Sequence, residues 1–315
     1  MPQDRDAPAS VQPCESAALS GRADISPPRR ILVVFNPIAG RKRRPKLDAV
    51  LAALSPIADV AVVETTHRGH AEEIARAADP ARVDLIAAAG GDGTVNEVVN
   101  GLRGKSIALG VIPLGTANVL ADEIALSRRP ARVAATLARG ALRPIHVGLA
   151  NGRRFVMMAG AGFDANVVAG VSLALKKKLG PLAYVIETAR LAFTDAFAGL
   201  DLVIDGAPHR TVSAVVCNGR HYGGPFVAAP GAALTDDLLH VVLLKGRGWT
   251  SVARYGLALV LGRLPTLADV DIVAGRRIAI RGTSAAPLQA DGDIVTALPA
   301  EIAVDPEPVR LAYPA

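Results

Sequence analysis

Aromatic residues account for only 3% of this 315-residue sequence, and cysteine occurs twice. No uninterrupted apolar run reaches the roughly 18 residues that a membrane-spanning helix needs. A core must therefore be built from Ala, Val, Leu and Ile. Cys14 lies in a polar leader and Cys217 in an apolar stretch, so we expect no disulfide framework and a reducing compartment. Residues 1–28 lack the continuous apolar core of an export signal, and we expect a disordered tail on a cytoplasmic protein.

Acidic residues are outnumbered by basic ones, and the resulting formal charge of +6 favours anionic partners. The dense basic runs are 41–44 and 176–178. Proteins that bind nucleic acids usually combine such runs with aromatic residues, so no nucleic-acid partner is expected. Each run fits a solvated surface as well as a contact with phosphate or an anionic membrane. The second run precedes an apolar stretch, which fits either a membrane-docking segment or a plain packed helix.

The first half of the chain alternates strands with helices. Short apolar runs predict strands at 31–35, 60–64, 83–89 and 107–112. Apolar spacing, prolines and helix ends predict helices from Pro45, over 70–78, after Thr94, over 116–125 and over 131–139. Such alternation is typical of a parallel sheet covered by helices on both faces. We therefore expect an α/β domain over 29–143.

The second half has the pattern of a mostly antiparallel β-sandwich or barrel. Asn151-Gly152 between two apolar runs is a strong hairpin signal, and Asp205-Gly206 repeats it with a slightly longer expected loop. One helix is expected over 181–198. We place a β-rich domain over 144–300 and expect residues 301–315 to return to the first domain.

The segment Gly90-Gly-Asp-Gly-Thr94 lies between a predicted strand and a predicted helix. Glycines let the backbone approach phosphate oxygens, and a helix N-terminus offers unpaired N–H groups to an anion. A carboxylate beside bare phosphates would be repelled, so Asp92 fits a role with a magnesium ion or with the proton of an attacking hydroxyl. The plainer interpretation is a glycine turn in which the aspartate caps the helix.

Three further loops follow strand ends in the same half of the chain. They are 36–40, 65–70 and 113–118, each rich in glycine or polar residues. Because open α/β sheets bind ligands at the carboxyl ends of their strands, we expect these loops and 90–94 to form one site.

Several motifs together resemble the catalytic-domain family of diacylglycerol kinases, which includes bacterial lipid kinases and sphingosine kinases. They occur in the family's order and cover nearly the whole predicted folded chain. The matching segments are Asn36-Pro37 with Gly40, 90–97, 113–118, 218–224, 230–236 and Asp291-Gly292. The segment 90–94 alone is shared with NAD kinases, but joined to Asn96-Glu97 and 113–116 it is more specific to lipid kinases.

The resemblance implies an NAD kinase/phosphofructokinase-like nucleotide-binding domain followed by an antiparallel β-sandwich. It implies catalytic roles for Asp92, Asp291 and Asp293. In bacterial relatives a cation site lies in the second domain, and by position it maps onto Asp236 with backbone oxygens of Ala233 and Leu238, a set that suits Mg²⁺. It also implies an ATP site formed by Asn36, Pro37, Gly40, Thr65, Gly90, Gly91, Asp92, Gly93, Thr94, Val95, Asn96 and Thr116.

Four positions depart from the family pattern. Ala39 stands where a serine is frequent, Val119 where an acidic residue is frequent, and Asp236-Asp237 where the family has Asp-Gly. Asp293 replaces a glutamate and is one methylene shorter, which leaves the identity of the general base open.

The resemblance therefore implies an ATP- and Mg²⁺-dependent lipid kinase that phosphorylates a hydroxyl of a membrane lipid, foremost diacylglycerol. We expect peripheral contact with an anionic surface at the inner membrane face. The sequence does not decide between a monomer and a homodimer. The alternatives are an NAD kinase, a sphingoid-base kinase and a nucleotide-binding regulator without turnover.

Overall fold

The computed structural model describes residues 29–38, 43–171, 182–194, 197–282 and 286–314. The predicted tail, Gly40, part of the first basic run and all of the second lie outside the described residues. The described helices are α1 (Arg43–Leu54), α2 (His70–Ala77), α3 (Asp92–Gly101), α4 (Val119–Glu123), α5 (Pro130–Arg139), α6 (Phe163–Gly170), α7 (Leu182–Thr194) and α8 (Gly248–Val260).

The described strands fall into three six-stranded sheets and one small hairpin. They are β1 (Arg30–Phe35), β2 (Asp59–Glu64), β3 (Leu85–Gly90), β4 (Ala108–Pro113), β5 (Leu142–Ile145), β6 (Gly148–Ala150), β7 (Arg153–Phe155), β8 (Met158–Gly162), β9 (Leu200–Ile204), β10 (Ala207–Thr211), β11 (Ser213–Cys217), β12 (His221–Tyr222), β13 (Phe226–Val227), β14 (Leu239–Leu244), β15 (Val270–Gly275), β16 (Arg277–Arg281), β17 (Pro287–Ala290), β18 (Asp293–Ala297), β19 (Ala300–Val304) and β20 (Val309–Ala312).

The first sheet has the order β2-β1-β3-β4-β20-β5, and β1 to β4 run parallel. One of its apolar faces packs against α1 and α5, and the other packs against α2 and α3. Every residue of β3 is buried, as expected for a central strand covered on both sides. The strand β20, near the C-terminus, lies between β4 and β5.

The other two large sheets are antiparallel in the described residues, with the orders β10-β9-β16-β19-β6-β7 and β15-β14-β11-β8-β17-β18. Their facing sides share one apolar core, to which Phe155, Leu202 and Val241 contribute. Alternate residues of β9 are buried, which is the pattern of a strand with one solvated face. The fold class predicted from the sequence, α/β followed by an antiparallel β-sandwich, is confirmed.

Three Asx-Gly turns connect hairpins in this sandwich. Asn151-Gly152, Asp205-Gly206 and Asp291-Gly292 all have positive φ at both residues, the conformation of a tight two-residue turn. The longer loop expected at Asp205-Gly206 was wrong, because Ile204 pairs directly with Ala207. The turn at 291–292 carried the same signal and was not predicted as a hairpin.

The helix boundaries differ from the sequence predictions in two places. The helix expected over 116–125 shortens to α4, because Asn118 adopts a left-handed conformation with φ of 55° and keeps 114–118 as a loop. The helices α6 and α8 were not predicted, since only one helix was expected in the second half. No helix within the described ranges combines the length and apolar character needed to cross a membrane.

Candidate functional site

The loops that follow β1, β3 and β4 meet at the carboxyl edge of the first sheet. The side-chain amide of Asn36 donates to the hydroxyl of Thr94 over 3.1 Å. The backbone N–H of Gly115 donates to the carbonyl of Gly90 over 2.9 Å. Three of the four polar loops predicted to share one edge are therefore joined by direct hydrogen bonds.

Two glycines are required by this close approach. A Cβ added to Gly90 would lie 2.3 Å from the hydroxyl oxygen of Thr94. A Cβ added to Gly115 would lie 2.4 Å from the Cα of Gly91, which is backbone and cannot rotate away. The motif glycines thus allow two loops and a side chain to pack where any larger residue would collide.

The N-terminus of α3 faces this junction. The helix begins at Asp92 after the cap residue Gly91, and no side chain caps it. The first N–H groups of a helix have no acceptor within the helix, and they carry the positive end of its dipole. With the adjacent hydroxyl of Thr94 they form a cradle suited to phosphate oxygens. The N–H groups of Thr94 and Val95 both donate to the Gly91 carbonyl, at 3.0 and 3.2 Å, and the side chain of Val95 is buried in the core. A role for Val95 in the site stays a prediction.

Asp92 clamps the neighbouring loop. Its two carboxylate oxygens accept hydrogen bonds from the N–H groups of Asn118 at 2.9 Å and Val119 at 2.7 Å. It therefore caps α4 rather than its own helix. Burial raises the pKa of Asp92 and the charge of nearby Asp291 adds to this, while the two backbone hydrogen bonds oppose the shift.

Asp291 is a second clamp. It adopts a φ of 48°, and its carboxylate accepts hydrogen bonds from the N–H groups of Val156, Met157 and Met158. The amide of Asn96 in α3 donates to the same carboxylate over 2.7 Å. Burial raises the pKa of Asp291, and these hydrogen bonds oppose the rise. With its oxygens satisfied by the protein, this residue holds the sandwich against α3.

Polar residues on α3 and directly after β2 also have structural partners. The carboxylate of Glu97 accepts from the N–H groups of Gly69 at 2.9 Å and Ala71 at 3.2 Å, and so caps α2. Thr65 is buried, and its N–H donates to the carbonyl of Phe35. Pro37 and Thr116 lie exposed on the loops that flank the cradle.

Asp293 is the predicted catalytic acid whose carboxylate is accessible to solvent. Its side chain is 45% exposed and forms an ion pair with Arg68 at 3.2 Å. A Cβ added to Gly93 would lie 3.8 Å from its Oδ2, which places the carboxylate directly across from the cradle. Of the three predicted acids, Asp293 alone combines solvent access with proximity to the first turn of α3.

Arg43 contributes an unpaired cation at the same edge. It is only 4% exposed, and its Nε donates to the carbonyl of Leu114 over 3.3 Å. Its two terminal nitrogens are buried and have no hydrogen-bond partner among the described residues. Burial lowers the pKa of this guanidinium. A buried arginine with unsatisfied donors beside a phosphate cradle is suited to an anionic ligand.

The predicted cation loop lies far along the chain, before β14. Asp236 is exposed, and its N–H donates to the carbonyl of Ala233 over 3.0 Å, so that both residues belong to one turn. Asp237 pairs with Arg276. No group of three or more His, Cys, Asp or Glu side chains in the described ranges is arranged to hold a metal. A site made of Asp236 and the backbone oxygens of Ala233 and Leu238 stays a prediction.

Sequence reasoning missed a buried network behind the 291–293 turn. Gln289 accepts from the N–H of Gly292 at 3.0 Å and donates to Asp164 at 2.8 Å, and the hydroxyl of Tyr222 donates to the same carboxylate. Burial raises the pKa of Asp164. A Cβ on Gly160 would lie 1.7 Å from this carboxylate. The sequence signal that could have indicated the network is the pair formed by Gly160 in β8 and Asp164 in α6, four residues apart. The network orients the turn that carries Asp293.

Comparison with known proteins gives two family matches that together cover the described fold. Residues 30–150 match the family model of the diacylglycerol kinase catalytic domain. Residues 157–313 match the model of the YegS C-terminal NAD kinase beta sandwich-like domain.

Individual relatives match over most of their length. A diacylglycerol kinase of Bacillus subtilis is 30% identical over 280 residues, which span 87% of this chain and 92% of the relative. A diacylglycerol kinase of Mycobacterium tuberculosis is 27% identical over 308 residues, with 88% and 98% of the two chains covered. A crystal structure of a Bacillus anthracis protein superposes with a TM-score of 0.77 at 23% identity, covering 93% of this chain and 97% of that one.

Proposed function

The chain belongs to the diacylglycerol kinase catalytic-domain family and is a lipid kinase, and we propose that it transfers the γ-phosphoryl group of ATP to the hydroxyl of diacylglycerol. The product would be phosphatidic acid. The observation that carries the proposal is the open carboxylate of Asp293 opposite the N-terminus of α3. The names of the Bacillus subtilis and Mycobacterium tuberculosis relatives support this choice of acceptor.

In the proposed reaction the cradle binds the phosphates of ATP. The first N–H groups of α3 and the hydroxyl of Thr94 donate to phosphate oxygens, and Arg43 neutralises part of their charge. The loop that Asp92 clamps keeps Thr116 beside the nucleotide. These residues position the γ-phosphoryl group, which is most of what phosphoryl transfer demands of a protein.

Asp293 is the proposed general base. It accepts the proton of the lipid hydroxyl while the hydroxyl oxygen forms a bond to phosphorus and the bond to ADP breaks. A divalent ion such as Mg²⁺, when bound, would offset the charge that develops on the transferred group. The exposed carboxylate of Asp293 fits such an ion, whereas both oxygens of Asp92 already accept backbone hydrogen bonds.

A labelled-phosphate assay tests the acceptor. The purified protein is incubated with labelled ATP, Mg²⁺ and, in separate reactions, diacylglycerol, a sphingoid base, NAD and a total lipid extract. We expect label in phosphatidic acid from diacylglycerol and from the extract. Label in the sphingoid base or in NAD, with diacylglycerol unlabelled, would reject the proposed acceptor. Nucleotide binding without transfer to any of them would indicate a regulator.

The unpaired donors of Arg43 give a prediction for nucleotide affinity. Replacing Arg43 with Met removes charged hydrogen bonds of about 1.5–3 kcal/mol to phosphate, which corresponds to a rise of about 10- to 100-fold in KM for ATP. Because the buried donors have no protein partner, the melting temperature should stay level or rise. Steady-state kinetics and thermal unfolding measure both quantities.

The neighbouring Arg44 is the matched control for this substitution. It is exposed and pairs with Asp48 and Glu64, so Arg44→Met should leave KM for ATP unchanged. A lower melting temperature for Arg43→Met with an unchanged KM would show instead that Arg43 serves only the fold.

A further inference from the structure

The helix α8 turns an apolar stripe toward solvent. Trp249 is 53% exposed and Leu257 is 63% exposed, and Val260 and Leu261 are also mostly exposed. Positions 249, 253, 257 and 260 follow the helical repeat, so they lie along one side of the helix. The side turned inward buries Tyr255 and Ala258. An outward apolar stripe is the reverse of the pattern expected for a surface helix of a soluble domain.

The helix α7 lies beside α8 and has the same reversed pattern. Phe193 is 72% exposed and Val185 is mostly exposed, whereas the acidic Glu187 is buried. The ring of Phe193 stacks on Trp249 with centroids 5.7 Å apart, which joins the two stripes. We call this surface the apolar face; its members are Val185, Phe193, Trp249, Leu257, Val260 and Leu261.

Basic residues outnumber acidic ones on and beside the apolar face. Glu187 is the one acidic residue in the sequences of α7 and α8, and it is turned inward with Arg190 as its partner. Arg247 and Arg263 lie exposed at the two ends of α8. Arg254, on α8 itself, is half exposed and pairs with Asp269. A partner of complementary chemistry is therefore apolar inside and negatively charged at its surface.

We propose that the apolar face docks this protein onto an anionic lipid bilayer, with its aromatic and aliphatic side chains inserted among the acyl chains. The arginines at its rim would contact the lipid phosphates. The proposal rests on the proposed function in one respect, because a kinase of membrane lipids must meet its acceptor at such a surface.

The position of α7 connects this surface to the candidate site. The hydroxyl of Tyr184, at the start of the helix, lies 3.9 Å from where a Cβ of Gly292 would be. Gly292 precedes Asp293 in the chain. Phe193 follows Tyr184 by nine residues, which is about 14 Å along the helix axis. The helix α7 therefore extends from the catalytic turn to the stacked rings of the apolar face. A lipid drawn partly from the bilayer would have its hydroxyl end near Asp293.

The protein contains a single tryptophan, and it lies in the apolar face, so its fluorescence reports docking directly. The full chain is titrated, without ATP or diacylglycerol, with phosphatidylcholine vesicles that contain or lack phosphatidylglycerol. We expect a blue shift of Trp249 emission, and quenching by lipids brominated on their acyl chains, with the anionic vesicles. Unchanged emission, or a shift that follows protein concentration and self-association instead of lipid, would overturn the proposal.

A double variant, Leu257→Ser with Val260→Ser, tests the same surface without removing the probe. Losing two inserted aliphatic side chains should weaken vesicle partitioning by at least about tenfold. The control is Val203→Ser, an exposed apolar residue on β9 away from the face, which should partition like the parent. Equal partitioning of parent and double variant would contradict the proposal.

Activity measurements separate this proposal from the proposed function. Phosphorylation of a dispersed short-chain diacylglycerol should be the same for the parent and the double variant, and phosphorylation of vesicle-embedded diacylglycerol should fall for the variant. A kinase that phosphorylates the dispersed lipid without binding vesicles rejects docking alone. A protein that docks and phosphorylates no diacylglycerol rejects the proposed acceptor alone.

Discussion

Replacing Asp293 with Asn is expected to lower kcat for lipid phosphorylation by about 10²- to 10⁴-fold, the usual contribution of a positioned general base. An amide cannot take a proton from the acceptor hydroxyl. The fold should be unaffected, because the carboxylate is half exposed and its ion pair with Arg68 is also exposed. Single-turnover kinetics with saturating ATP measures the chemical step.

Two further variants make this test specific. Asp293→Glu introduces the glutamate of the family motif. This variant should retain most of the activity, because its carboxylate can still reach the site. Asp201→Asn removes another exposed aspartate that pairs with an arginine, far from the site, and should change nothing. Full activity of Asp293→Asn would remove this residue from the mechanism and leave Asp92 and Asp291 as the acids to test.

Replacing Asp92 with Asn is expected to lower both the affinity for ATP and the stability of the fold. Both carboxylate oxygens accept backbone N–H groups, and an amide nitrogen in one of these positions would face a second donor. The lost hydrogen bond and the unsatisfied buried N–H cost about 1–3 kcal/mol. The freed loop carries Thr116, so a loss of the same free energy in ATP binding would raise KM for ATP by about 5- to 150-fold.

Denaturant unfolding and ATP titration, measured on the same Asp92→Asn preparation, distinguish the clamp from a purely catalytic role. A clamp predicts that the free energy of unfolding and the ATP affinity fall together. A fall in kcat with unchanged unfolding and unchanged ATP affinity would show that Asp92 acts on the reacting atoms.

The edge of the sheet at which the site lies could be predicted from the sequence. Glycines and short polar residues after 31–35, 83–89 and 107–112 indicate loops at the carboxyl ends of parallel strands, and local spacing determines that pattern. The roles of the acids were not readable in the same way. Asp291 and Asp293 are two residues apart, yet the first is held by Asn96 from 195 positions away.

The helix α8 was missed for a different reason. A helix is recognised from one apolar and one polar side, and α8 carries apolar residues both on its buried side and on its exposed side. Asp164 was overlooked because its meaning depends on Gly160, Tyr222 and Gln289, which come from three different strands. Such tertiary partners leave no periodic signal in the chain.

In the proposed reaction the N-terminus of α3 binds the phosphates of ATP opposite Asp293. A crystal structure with a non-hydrolysable ATP analogue and Mg²⁺ tests it most directly. We predict phosphate oxygens within hydrogen-bonding distance of the first N–H groups of α3 and of the Thr94 hydroxyl, with the terminal phosphate facing Asp293. An ordered nucleotide bound elsewhere, with these groups making no contact to it, would contradict the claim.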